Sequence, residues 1–179
     1  MPAAADPRET GSLLQVSRTL HAPCARVWPA WRDAAILNRW WGPKGCTLEF
    51  LAMDFRPGGY AHFSMSFPDG AAMYGRFVYR DIEEQRRIAW LHGFATARGA
   101  IARAPFAEHF PLECENAAHF DARGGETVVT LTSRPFAASD AEIAAFDNLL
   151  PAMEYGYGAA LEQLSAELAR SSDVSPATG

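Results

Sequence analysis

From Thr47 to Arg134 the chain runs through short stretches of alternating apolar and polar residues, several of which stop at glycine-containing turns. Alternation with period two marks strands with one buried face, and tight turns can only join such strands antiparallel. Leu48 and Phe50 share one parity while Leu51, Met53 and Phe55 share the other, so a bulge near Phe50 is expected to keep both sets inward. The run ends at Arg56-Pro57-Gly58-Gly59, where proline presets φ and glycine tolerates the positive φ that a type II turn requires. Phe63, Met65 and Phe67 then alternate against His62, Ser64 and Ser66 up to a second turn at Pro68-Asp69-Gly70. Met73 to Ile82, Arg87 to Thr96, Leu112 to Phe120 and Glu126 to Arg134 extend the meander, the last two joined by Gly124-Gly125.

The flanks supply a strand and helices. Leu14, Val16 and Leu20, with Ser17 and Thr19 between them, predict a strand over Leu13 to His21 that Pro23 stops. Val27, Trp28, Trp31 and Ala35, then Ile36, Leu37, Trp40 and Trp41, predict two short helices ending at Gly42-Pro43. Ser139 followed by Glu142 is a capping box opening a helix over Ile143, Phe146 and Leu149, and Pro151 either starts or kinks the next one. In the last helix Met153, Tyr157, Leu161, Leu164 and Leu168 form an apolar stripe opposite Glu154, Glu162, Gln163 and Glu167. That stripe must be covered, and the sheet is the only large surface available. The predicted class is α+β: a curved antiparallel sheet wrapped around a long C-terminal helix, with two short helices after the first strand. A curved sheet gripping a helix can leave a space between them.

With 49% hydrophobic residues, a chain of 179 can bury a core without metals or disulfides, and one domain over residues 13–170 is expected between flexible tails at 1–12 and 171–179. A net charge of -5 without a long basic run argues against nucleic acid or anionic lipid as a partner. Cys24, Cys46 and Cys114 show neither a disulfide framework nor CxxC spacing, so a reducing cytoplasm is the expected compartment. No run is apolar enough for membrane insertion and no signal peptide is evident.

An ordered set of short motifs resembles the Hsp90-ATPase-activator-homologue-1-like family of the START/Bet v 1-like superfamily. It comprises Ala22-Pro23 with Val27-Trp28, Trp40-Trp41-Gly42-Pro43, Asp54 to Gly59, Met65 with Pro68-Asp69-Gly70, and Gly75. It continues through Phe110 to Glu113 with Asn116 and Phe120, Gly125-x-Thr127 into Val128 to Thr132, Arg134-Pro135, and Gly156-Tyr157 with Leu161 and Leu164. The resemblance implies a helix-grip fold (Bet v 1/START-like) with an internal cavity. It says less about chemistry, since relatives include lipid carriers, cyclases, hormone receptors and a co-chaperone domain. Two departures stand out: Tyr157 replaces a tryptophan common in the family, which suggests a wetter pocket near its hydroxyl, and Ala97 to Phe110 is longer than in many members.

The first functional expectation is binding of a small hydrophobic, amphipathic or aromatic ligand by a carrier or sensor. Its expected contacts are Trp41, Phe55, Phe63, Met65, Phe77, Trp90, His92, Phe94, Tyr157 and Leu161. Two alternatives are a co-chaperone-like activator of an Hsp90-type ATPase and a polyketide cyclase or lyase. The former is weakened because nothing before Leu13 resembles the extra N-terminal domain of the eukaryotic activator, and the latter lacks a matched acid–base pair. No cofactor, metal or catalytic residue is assigned. His21, His62, His92, His109 and His119 lack metal-ligand spacing, and Cys46 and Cys114 lack a nearby base. His92 shares its parity with Ile88, Trp90 and Phe94, so it faces inward, as a pocket group or as a core histidine held by a backbone carbonyl. Asp54 and Arg56 are expected to form an ion pair on the outer face or to brace the turn. Residues 97–110, with Phe106 and Phe110, fit either a lid or a surface loop pinned by two phenylalanines.

Overall fold

The computed structural model describes residues 12–172, so the expected tails fall mostly outside the described residues; at the C-terminal side the helix continues through Ser171 and Ser172. The first strand, β1 (Leu14–Leu20), leads into three short helices rather than two: α1 (Cys24–Val27), α2 (Pro29–Arg32) and α3 (Ala34–Trp40). Pro29 makes the extra division, because it suits the first position of a helix and cannot donate a hydrogen bond within one. Asp33 caps α3, its carboxylate accepting from Ala35 N at 2.8 Å.

The meander follows as β2 (Thr47–Met53), β3 (Tyr60–Ser66), β4 (Ala72–Glu83), β5 (Arg87–Ala95), β6 (Ile101–Ala102), β7 (Glu113–Arg123) and β8 (Glu126–Phe136). All pairings are antiparallel, in the order β1-β8-β7-β5-β4-β3-β2, with the short β6 added to β5. The turn after β2 has Gly58 at φ 78° and Gly59 N donating to Arg56 O at 2.8 Å, the geometry of a type II turn. Gly59 is held by its surroundings as well, since a Cβ there would lie 2.0 Å from Asp54 O. Asp54 and Arg56 form the expected outer ion pair at 2.7 Å.

A bulge does interrupt β2, with the register slipping between Phe50 and Ala52. It does not turn every apolar residue inward, however. Leu51 is the unpaired residue and stays 49% exposed. A second bulge between Tyr79 and Asp81 was not legible in the sequence.

The capping box opens a single helix, α4 (Asp140–Ser172): Ser139 N donates to Glu142 Oε2 at 2.8 Å, and Glu142 N to Ser139 Oγ at 3.3 Å. Pro151 lies inside this helix and starts no new one. The stripe is buried most completely at Leu161, Leu164 and Leu168. The polar face differs from expectation at Glu167, which is buried and pairs with Arg39 and Arg170 at 2.8 Å each, and at Gln163, which donates to the Trp40 and Gly42 carbonyls. Arg39 and Trp40 of α3 reach α4, so the side facing α3 takes polar partners rather than water. α4 packs mainly on β1, β8 and α3. Between α3 and the sheet sits an aromatic core, with Trp31 contacting Trp40, Trp41 and Trp90 at centroid distances of 4.8, 6.0 and 6.3 Å.

Candidate functional site

A cavity of about 310 Å³ lies between α4 and the inner face of the sheet. Its helix wall is made of small residues, Ala152, Gly156 and Ala160, which recur every four positions and so stack along one line of the helix. Leu149, Met153 and Tyr157 flank that line. A Cβ on Gly156 would meet no heavy atom within 4 Å. The sheet contributes Phe63 and Met65 from β3, Met73 from β4, His92 and Phe94 from β5, and Cys114 from β7. Trp41 to Pro43 close one side. Phe106, which also lines the cavity, is 58% exposed, so at that end the cavity reaches the surface.

Six of the ten expected contacts, Trp41, Phe63, Met65, His92, Phe94 and Tyr157, line this space. The other four do not. Phe77 and Trp90 share the inner sheet face but pack against Trp41 at 5.7 and 6.0 Å, within the aromatic core. Leu161 is fully buried one turn beyond Tyr157. Phe55 sits against Trp28 and Tyr79 at 6.1 and 5.1 Å. Parity selects the face of a strand and cannot say where along it the helix stands away.

The polar groups fall into two sets. Ser133 Oγ donates to Asn116 Oδ1 at 2.8 Å, and Asn116 Nδ2 donates to the Tyr157 oxygen at 2.9 Å. Asn116 and Ser133 are cross-strand partners on β7 and β8, so sheet register builds this relay, and it gives the Tyr157 oxygen a protein donor. Burial drives the Tyr157 pKa up, and drives the Cys114 thiol up to about 12. His92 forms the second set alone. Its ring lies 5.2 Å from Phe77, 6.1 Å from Phe63 and 6.4 Å from Phe94, and burial lowers its pKa to about 4 with no charge or hydrogen bond contributing. The histidine on a backbone carbonyl is instead His62, 3.2 Å from Thr96 O and buried on the outer face.

Residues 97–110 divide into two parts. Around Gly99 the chain is clamped to the outer face, where Tyr60 Oη donates to Gly99 O at 3.0 Å. Beyond β6, Arg103 donates to Phe110 O at 3.1 Å and pairs with Glu142, tying the segment to the start of α4. Phe106 and Phe110 then meet Phe94 at 5.3 and 6.4 Å and border the cavity. Among the described residues no group of three His, Cys, Asp or Glu side chains is placed to hold a metal ion, and no helix is long and apolar enough to cross a membrane.

An eight-stranded antiparallel sheet gripping a long C-terminal helix, with a cavity between them, is the helix-grip architecture of the START/Bet v 1-like class. Within it, the chain belongs to the family described as Activator of Hsp90 ATPase homolog 1-like protein, which matches residues 21–169. A solution structure of an Arthrobacter aurescens protein is 25% identical, covering 94% of this chain and 92% of its own, with a TM-score of 0.77. A crystal structure of a Mycobacterium smegmatis protein is 26% identical over 89% of this chain and 92% of its own, with a TM-score of 0.71. The Silicibacter pomeroyi protein titled AHSA1, 18% identical over 89% of this chain and 99% of its own with a TM-score of 0.68, shares the fold. No curated protein matches.

Proposed function

We propose that the protein binds a small, largely apolar molecule in the cavity between α4 and the sheet, as a carrier or sensor. The observation that carries this reading is the cavity: about 310 Å³ of space at the lower end of the roughly 300–1,000 Å³ typical of ligand sites, apolar over most of its wall and open at Phe106. The residues around it support binding more than catalysis. His92 is held neutral near pH 7, and Cys114 and Tyr157 are held protonated, so no lining group is poised to exchange a proton there.

A thermal-shift screen of fatty acids, sterols and aromatic polyketide-like compounds tests the reading. Ligand at a hundred times its dissociation constant stabilises a protein by about 2.7 kcal/mol, a melting shift of roughly 5 to 10 °C for a domain of this size. Gly156→Leu, which projects a side chain into the space, should remove the shift and leave the protein folded. A screen without shifts, together with several-fold stimulation of an Hsp90-type ATPase that Gly156→Leu leaves intact, would replace this reading with the co-chaperone one.

A further inference from the structure

The chemistry of the cavity wall narrows the kind of molecule that fits, given the reading that the cavity is a binding site. None of the lining side chains carries a formal charge. A carboxylate or ammonium entering this space would give up its hydration without meeting a counter-charge, which disfavours charged ligands strongly. The Ser133 and Asn116 side chains are engaged with one another and with the Tyr157 oxygen, so each of the three already holds a protein partner. Cys114 is a buried neutral thiol and a weak hydrogen-bonding group.

That leaves His92. Among the described residues nothing hydrogen-bonds its ring, which is flanked by Phe63, Phe77 and Phe94 and faces the cavity. Toward a ligand, a neutral imidazole presents either an N–H or a bare nitrogen according to its tautomer, and a group that can both donate and accept matches it in either form. A hydroxyl does both; an ether or ketone can only accept. The surrounding walls offer aromatic rings from Trp41, Phe63, Phe94, Phe106, Phe110 and Tyr157, which favour a ring system through edge and offset contacts.

We infer that the cavity takes an uncharged ring compound bearing a hydroxyl group that hydrogen-bonds to His92, and that it rejects anions of the same shape. Without ligand no positive charge waits for an anion near neutral pH, because burial depresses the His92 pKa to about 4 and the titratable groups around it, Cys114 on β7 and Tyr157 on α4, are neutral. Phe77 of β4 and Phe94 of β5 bring no charge.

Three probes of one skeleton test the inference near pH 7: 2-naphthol, 2-methylnaphthalene and 2-naphthoate, titrated against the whole chain by NMR or calorimetry. Naphthol is expected to bind at least about tenfold more tightly than naphthoate, the penalty for an unpaired buried charge. His92→Leu should weaken naphthol about three- to tenfold, the worth of a buried hydrogen bond, and leave methylnaphthalene unchanged. The comparison of probes on the unaltered protein stands even if that variant fails to fold. Naphthoate binding as well as naphthol, or His92→Leu weakening both neutral probes equally, overturns the inference while leaving the cavity a binding site. Failure of all three probes to perturb cavity residues removes the binding reading itself.

Discussion

Phe63 fills the space that a side chain at Gly75 would need. The two are cross-strand partners on β3 and β4, and a Cβ on Gly75 would lie 2.3 Å from Phe63 Cζ and 2.6 Å from Cε2. A phenyl ring cannot bend away as a lysine tip could, and Phe63 is 1% exposed, so it has nowhere to retreat except into the cavity it lines. Gly75→Ala is therefore expected to cost about 1 to 3 kcal/mol in a urea titration, as overpacked cores do. In a Phe63→Leu background the same substitution should cost much less, because the clashing ring is gone. Equal costs in both backgrounds would show that Gly75 serves some other need.

The grip on α4 is expected to depend on Leu164, which is fully buried on the face turned toward the sheet. Leu164→Ala should lower stability by about 2 to 5 kcal/mol, the range for leucines removed from well-packed interiors. A loss under about 0.5 kcal/mol in denaturant would mean that α4 is not the packing partner described.

Local chemistry accounts for what was legible in the sequence. The turns at Pro57-Gly58-Gly59 and Pro68-Asp69-Gly70 could be placed because proline and glycine fix their own φ, and Gly58 and Gly70 do take positive φ. The capping box and the long strands had comparably strong signals. Ile101–Ala102 did not, since a two-residue strand shows no alternation. Glu167 looked like a surface residue because its partner Arg39 lies far away in sequence on another helix. The site was harder for a different reason. Searching for ligand contacts among large apolar residues finds Phe63, Met65 and Trp41, but equally finds Phe77, Trp90 and Leu161, which fill the core. A cavity is made where volume is missing, and Ala152, Gly156 and Ala160 mark it on the helix. Their four-residue spacing beside Met153 and Tyr157 was the available signal.

His92 predicts an acid-labile component of stability. Its pKa is about 4 in the fold against 6.5 for an ordinary histidine, so between these values the unfolded chain binds the extra proton and the folded chain does not. The stabilisation is complete above pH 6.5 and is lost as pH falls toward 4; it amounts to at most about 3 kcal/mol, because the half-buried ring borders a cavity that reaches the surface. His119, lowered by burial and by Arg87, acts in the same direction, so the wild type must be compared with His92→Leu, which retains it. Unfolding free energies measured in urea from pH 7 down to 4.5 should fall more steeply for the wild type than for the variant. Parallel curves would show that the His92 ring is solvated or paired in the folded state.

The glycines of α4 separate helix strength from cavity space. Gly156 and Gly158 are both helical without positive φ, and a Cβ on either would meet no heavy atom within 4 Å, so neither is required by crowding. Glycine inside a helix costs roughly 0.5 to 1 kcal/mol relative to alanine. Gly158, which does not line the cavity, should therefore give a variant, Gly158→Ala, that is more stable by about that amount and binds ligand unchanged. Gly156 lines the cavity, and Gly156→Leu should gain the same helix preference while filling the space with a branched side chain. The pair is expected to split in one experiment: both variants melt higher than the wild type without ligand, and only Gly156→Leu loses the ligand-induced shift. Should Gly158→Ala also lose it, binding depends on the conformation of α4 between Pro151 and Gly158 and not on the space at Gly156 alone.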